Sequence, residues 1–168
     1  MSQNQFHRLI FKMIKIYTDG ASRGNPGPGG YGVVMLAGNL RKEISEGFRL
    51  TTNNRMELLS VIVAMEALKK EGTMATVYSD SKYVVDAIEH KWVFGWEKKN
   101  FKDKKNSDLW MRFLKIYRKQ NIKFMWVKGH ATNKENNRCD ELAVEAALGG
   151  NLKIDMGYED QNNGKNLF

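Results

Sequence analysis

Three short apolar runs, separated only by turn signals, come before any stretch of helical periodicity in this chain; after them, helices and strands alternate. Residues 14–18 are apolar-rich and end at Asp19-Gly20, which predicts a strand running into a turn. Residues 20–30 hold five glycines and both prolines of the protein, the composition of a loop. Residues 31–37 and 42–49 flank the turn signal Gly38-Asn39 and predict a hairpin. Over residues 53–70, Leu58, Val61, Ile62, Met65 and Leu68 recur at helical spacing, and Gly72 stops the run. A strand at 75–78, helices at 81–89 and about 107–118, a strand at 122–127 and a helix at 135–148 complete the order. The polar tail is expected to fray after Tyr158.

The order βββ-α-β-α-α-β-α predicts an α/β fold, one mixed sheet with helices on both faces. At 168 residues, a single domain is expected over 13–158, with an extension at 1–12 and a flexible tail at 159–168. In such sheets, sites form at the carboxyl ends of strands beside a switch in strand order. The first and fourth strands both end in an aspartate, Asp19 and Asp80, so as neighbours they bring two carboxylates side by side.

The formal charge is +8, yet twelve basic and three acidic residues between 91 and 128 carry +9, leaving the other 130 residues at −1. One basic patch on a near-neutral body points to a polyanion, nucleic acid first. The single cysteine, Cys139, excludes an intrachain disulfide framework and fits a reducing compartment, so a cytoplasmic location is expected. No apolar run approaches the ~20 residues of a membrane helix. The first twelve residues offer only Leu9-Ile10-Phe11, too short for a signal peptide, and no membrane partner is expected.

Each candidate acid has an ordinary explanation. Asp19-Gly20 suits a turn, Glu57 can close a capping box with Asn54, and Asp80 can cap the next helix. Asp140 falls in a first helical turn, where the dipole favours negative charge. Glu57 fits its explanation worst. It shares a helix face with Val61, Ala64 and Leu68, which turns it toward the sheet, where a bare carboxylate costs on the order of several kcal/mol. Asp19 and Asp80 beside it would add like-charge repulsion. A divalent metal resolves the conflict, and oxygen-only ligands suit Mg²⁺ or Mn²⁺ better than zinc. Cys139 reads as a small core residue.

Six motifs in order span residues 13–149: Tyr17-Thr18-Asp19-Gly20, Gly24-Asn25-Pro26-Gly27-Pro28-Gly29-Gly30, Thr51-Thr52-Asn53-Asn54-Arg55-Met56-Glu57, Ser79-Asp80-Ser81, Trp126-Val127-Lys128-Gly129-His130 and Asn137-Arg138-Cys139-Asp140-Glu141-Leu142-Ala143. Through them the chain resembles bacterial type 1 ribonuclease H. The resemblance implies a ribonuclease H-like fold, a five-stranded sheet of order 3-2-1-4-5 with strand 2 antiparallel. It implies a monomeric endonuclease that hydrolyses the RNA strand of RNA–DNA hybrids, leaving 5′-phosphate and 3′-hydroxyl ends. One or two Mg²⁺ ions would serve it, with Mn²⁺ as a substitute. Asp19, Glu57, Asp80 and Asp140 match the family's metal-binding acids, and His130 its mobile loop histidine. In two-metal chemistry Asp19 would bridge both ions. The ion shared with Asp140 would activate the attacking water, and the ion shared with Glu57 and Asp80 would stabilise the leaving 3′-oxygen. His130 would carry a proton or help release product, unless it is an ordinary loop histidine.

RNA is told from DNA by its 2′-hydroxyls across a shallow minor groove. Gly20, Ala21 and Ser22 suit that close approach. By resemblance, Asn25, Asn53 and Asn54 contact the two strands, Thr52 and Asn53 lie near a DNA phosphate, and Ser81 joins the substrate contacts. Thr52-Asn53-Asn54 also serve helix capping. Lys82 stands where a glutamine makes a minor-groove contact in a familiar relative; a lysine there reaches a phosphate instead. Residues 91–106 resemble the family's basic protrusion, shortened, with Phe101 where a tryptophan is usual. Lys98, Lys99, Lys102, Lys104 and Lys105 read as phosphate contacts. Trp92 and Trp96, four apart on one helical face, are expected to pack on the body and to touch DNA, respectively. Tyr31, Met65, Trp110 and Trp126 read as core, and the extension as dispensable.

The rival readings are a non-catalytic hybrid-binding module and another nuclease on the same fold. The first need not keep all four acids. The second lacks the Gly/Pro loop, the Thr-Thr-Asn-Asn-Arg-Met-Glu run and the Lys-Gly-His loop.

Overall fold

The computed structural model describes residues 2–3, 13–129 and 132–163. One sheet runs through it in the order β3-β2-β1-β4-β5, formed by β1 (Ile14–Ser22), β2 (Gly27–Ala37), β3 (Leu40–Thr51), β4 (Met74–Ser79) and β5 (Asn121–Trp126). β2 is antiparallel to both β1 and β3, whereas β1, β4 and β5 run parallel. Among the described residues the helices are α1 (Asn53–Glu66), α2 (Lys82–Glu89), α3 (Trp92–Lys98), α4 (Ser107–Tyr117), α5 (Lys134–Leu148) and α6 (Met156–Asn163). This is the expected α/β architecture and strand order.

Alternation along the strands divides the interior in two. Ile16, Tyr31, Val33 and Val77 pack with Leu58, Val61, Ile62 and Met65 of α1 and with Trp110 and Phe113 of α4 in the main core. Val34 packs with Cys139 and Leu142 of α5 in a smaller one. Each fully buried aliphatic or aromatic side chain contributes roughly 1.5–3 kcal/mol. The core expectations for Tyr31, Met65, Trp110 and Cys139 hold.

The Gly/Pro-rich stretch is not a loop throughout. β1 continues to Ser22 and β2 begins at Gly27, with Ala21 opposite Gly30 and Ser22 opposite Gly29. Only residues 23–26 turn, around a cis Asn25–Pro26 bond. Glycines occupy β2 because α5 crosses it closely: a Cβ on Gly30 would meet the Ala143 carbonyl, and one on Gly32 that of Cys139.

Three further expectations are corrected. α1 ends at Glu66 rather than residue 70, although Leu68 still reaches the core. Within the described residues the tail beyond Tyr158 is helical, α6 running to Asn163, and Arg49 forks onto Glu159 at 2.7 and 2.9 Å. Trp126 is not core: it lies 46 % exposed at the end of β5. It continues the inward row of Ile122 and Phe124 but stands beyond the last apolar layer, where α2 begins. Residues 4–12 of the extension lie outside the described residues.

One buried ion-pair network ties the start of α1 to the rest. The Arg55 guanidinium donates to both oxygens of Asp155 at 2.7 Å and to both of Asp108 at 2.7 and 2.8 Å. Thr51 Oγ1 adds a bond to Asp155 Oδ2 at 2.7 Å. Arg55 and Asp155 are buried, and the fork geometry satisfies both carboxylates. Burial alone would raise the Asp108 carboxyl, but Arg55 prevails and holds it below its ordinary range.

Candidate active site

Register sets the site. Thr18 is opposite Ser79 in the parallel β1–β4 ladder, so Asp19 and Asp80 are the next residues along both chains. Asp19 is 8 % exposed, and the Gly20 N–H donates to its Oδ1 at 2.8 Å. The α1 backbone at Met56–Glu57 rests directly against the Cα of Gly20, where a Cβ has no room. That close approach brings Glu57 to the ends of β1 and β4.

The ordinary explanations for three of the acids fail here. Thr52, not Asn54, caps α1, its hydroxyl accepting from the Arg55 N–H at 3.4 Å, so Glu57 closes no capping box. Ser81, not Asp80, caps α2. Asp140 lies in the second turn of α5, past the reach of the helix terminus. Ser81 is buried and donates from Oγ to Glu57 Oε2 at 2.6 Å. Ser81 therefore holds an acid in place. The Asp80 carboxylate rests against the Cα of Gly129.

Burial pushes the Asp19 carboxyl up to about 8, with Asp80 and then Asp140 and Glu57 adding like-charge repulsion against the opposing Gly20 N–H. Burial also raises Glu57, Asp80 adding to it and the Ser81 hydroxyl opposing it. Near neutral pH this cluster favours either a proton or a cation. Among the described residues no three acids, histidines or cysteines are gathered into a finished metal-binding group. The donor set itself, carboxylate oxygens that repel one another, has the chemistry of a hard divalent cation. His130 lies outside the described residues.

The expected substrate residues fall on one rim. The Ser22 N–H donates to Asn53 Oδ1 at 2.6 Å, and the Asn53 N–H donates to Asn25 Oδ1 at 3.2 Å. This stitches the β1–β2 turn to the start of α1, beside Gly20 and Thr52, with Asn54 exposed next to it. Lys82 opens α2, its Nζ 5.2 Å from the centroid of the Trp126 ring.

In the basic segment the burial of the two tryptophans is the reverse of that expected. Trp96 is half-buried and meets Trp110 edge-on at 5.6 Å between centroids, while Trp92 is 51 % exposed and stacks on His90. Phe101 is buried although its backbone is left-handed, at φ 54°. Its burial offsets that strain, of order 1–3 kcal/mol, and pins the segment to the core. A hollow of about 600 Å³ lies between Trp92, Trp96, Lys99, Lys102 and Lys104, with Lys104 Nζ 4.9 Å from the Trp96 ring centroid. Lys105 lines the adjoining hollow with Lys82 and Trp92, and Lys98 projects from the end of α3.

Sequence reasoning missed Arg55, Asp155 and the role of Trp126. A faint signal existed for Arg55: a cation in a first helical turn opposes the dipole and calls for a compensating partner. Asp155, about a hundred residues away in a polar tail, carried no signal.

A mixed sheet of this order, with coupled carboxylates at the ends of adjacent parallel strands and a basic segment alongside, defines a nucleic-acid phosphodiesterase of the ribonuclease H-like class. The family model described as RNase H matches residues 12–148. A ribonuclease H of Syntrophus aciditrophicus is 55 % identical over 152 residues, 88 % of this chain and 87 % of its own. One of Desulforamulus reducens is 54 % identical over 161 residues, 93 % of this chain and 99 % of its own. The structure is similar to that of LC9-RNase H1, a type 1 RNase H with the type 2 active-site motif (TM-score 0.75, 32 % identity, 89 % of this chain and 80 % of that one). It is also similar to LC11-RNase H1, solved in complex with an RNA/DNA hybrid (TM-score 0.60, 30 % identity, 80 % and 96 % covered). The chain belongs to the ribonuclease H family. It is an endonuclease acting on the RNA strand of RNA–DNA hybrids, in a family dependent on divalent metal.

Proposed function

We propose that Asp19, Glu57, Asp80 and Asp140 hold Mg²⁺, with Mn²⁺ able to substitute, and that hydrolysis leaves 5′-phosphate and 3′-hydroxyl ends. The observation that carries this reading is the placement of Asp19 and Asp80 at the ends of two adjacent parallel strands, with Glu57 brought beside them where α1 closes on Gly20. Bound metal would supply Lewis acidity and lower the pKa of water. The chain's own part is to hold Asp19 by the Gly20 amide, Glu57 by Ser81, and Asp80 against Gly129. His130, which precedes α5 in the sequence, moves a proton or aids product release.

The hybrid's minor groove lies over Gly20, Ser22, Asn25, Asn53 and Asn54, and the hydrogen bonds of Asn53 with Ser22 and Asn25 preset the rim before substrate arrives. Thr52 lies beside a DNA phosphate, and Trp92, Trp96 and the lysines 98, 99, 102, 104 and 105 hold the DNA strand. The enzyme acts as a cytoplasmic monomer.

Replacing Asp19 tests the centre. Asp19→Asn should abolish Mg²⁺-dependent cleavage while hybrid binding persists, and retained turnover by that variant would sink the assignment. The wild type should cut hybrid RNA but neither duplex DNA nor single-stranded RNA, and equal cleavage of duplex DNA would overturn the substrate reading.

A further inference from the structure

Trp126 is a large apolar side chain left 46 % exposed at the rim of the acid site, with two polar commitments. Its indole Nε1–H donates to the backbone carbonyl of Asp80 at 3.1 Å. Its ring face carries the ammonium of Lys82, 5.2 Å from the centroid. Lys82 follows Ser81, the residue bonded to Glu57, and lines a hollow with Asp86, Trp92, Trp96 and Lys104. A lysine is ordinarily a rotamer-rich point charge, and an aromatic face restricts where that charge sits.

We infer that Trp126 and Lys82 form a preset phosphate grip beside Asp80. The indole edge braces Asp80 through its backbone, and the indole face holds the Lys82 ammonium where a backbone phosphate of the hybrid comes to rest. Lys82 thus supplies sequence-independent affinity at this rim, and Trp126 is a positioning residue for both Lys82 and Asp80. The inference rests on the reading that the hybrid crosses these acids.

The test measures hybrid binding without divalent metal over a range of salt concentrations. Each phosphate contact contributes about 0.9 to the slope of log K against log salt. Lys82→Gln and Trp126→Leu should each flatten the slope by about that amount, Lys82→Arg should restore it, and the order of cleavage sites on a mixed-sequence hybrid should not change. Trp126→Phe, which keeps a ring but loses the N–H, should lower kcat with little effect on the slope. Single methylphosphonate linkages walked through the RNA and then the DNA strand identify the phosphate. At one linkage, in one strand, the wild type should lose the same slope while Lys82→Gln loses nothing more. An unchanged slope in Lys82→Gln, a cleavage map shifted toward particular bases, or no such linkage in either strand would overturn the grip. Because binding is read without metal, failure of the catalytic reading would appear in the Asp19→Asn cleavage assay and not here.

Discussion

Asp19 carries a cost that changes with pH. Burial pushes its carboxyl up to about 8 in the folded protein, against about 3.9 for a free aspartate. Between those values the unfolded chain is ionised while the folded one keeps the proton. Relative stability from this residue is therefore full below about pH 4 and is lost as pH rises toward 8. In metal-free buffer, Asp19→Asn should melt with the wild type near pH 4 and several degrees above it near pH 8, as read by calorimetry. Added Mg²⁺ should raise the wild-type Tm at pH 8 and leave the variant's nearly unmoved. Equal Tm values at pH 8 would argue against the coupled cluster. At this scale the sequence was a good guide to chemistry and a poor guide to burial. The misfit of Glu57 on an apolar helix face was visible in its spacing. The exposure of Trp126 was not, because the alternation that buries Phe124 continues one step past the end of the core.

Among the elements, α1 brings Glu57 to the acids and Asn53 and Asn54 to the rim, with Thr52 as its cap. Its position depends on Gly20, which lets it approach β1, and on Arg55, which anchors its first turn. Arg55→Met would leave two carboxylates without their partner, a loss of about 3–5 kcal/mol and roughly 10 °C in Tm. A fall of under 2 °C in thermal melts would refute this account of the anchor. The strands and helices were legible from periodicity, and their order gave the sheet. Their ends were less so. Glycines in β2 read as a loop because composition does not report a helix passing overhead, and α6 was missed because its hold comes from Arg49 and Arg55, far away in sequence.

For the whole molecule, the positive excess and the acids divide the work. The segment between 91 and 128 carries the charge, and Phe101 fixes its lysines to the body. Alanine at Lys98, Lys99, Lys102, Lys104 and Lys105 together should raise KM for hybrid with a smaller change in kcat, and flatten the salt dependence of binding. An unchanged salt slope would remove the segment from the interface. The surface ion pairs, such as those of Arg41 with Glu43 and Glu135, contribute about 0–1 kcal/mol each and leave the fold to the two cores.

The Arg55 anchor joins residues 55, 108 and 155, so it closes only after most of the chain has found its place. Contacts so distant along the sequence come late in folding, once loop-closure entropy has been met elsewhere. The first turn of α1, and the acid it delivers, should therefore be among the last parts assembled and the first to loosen. In stopped-flow kinetics Arg55→Met should chiefly speed unfolding and barely slow refolding, a φ-value near zero. A partly folded chain would then keep its main core while lacking a nuclease centre, so hybrid cutting begins only when folding is complete.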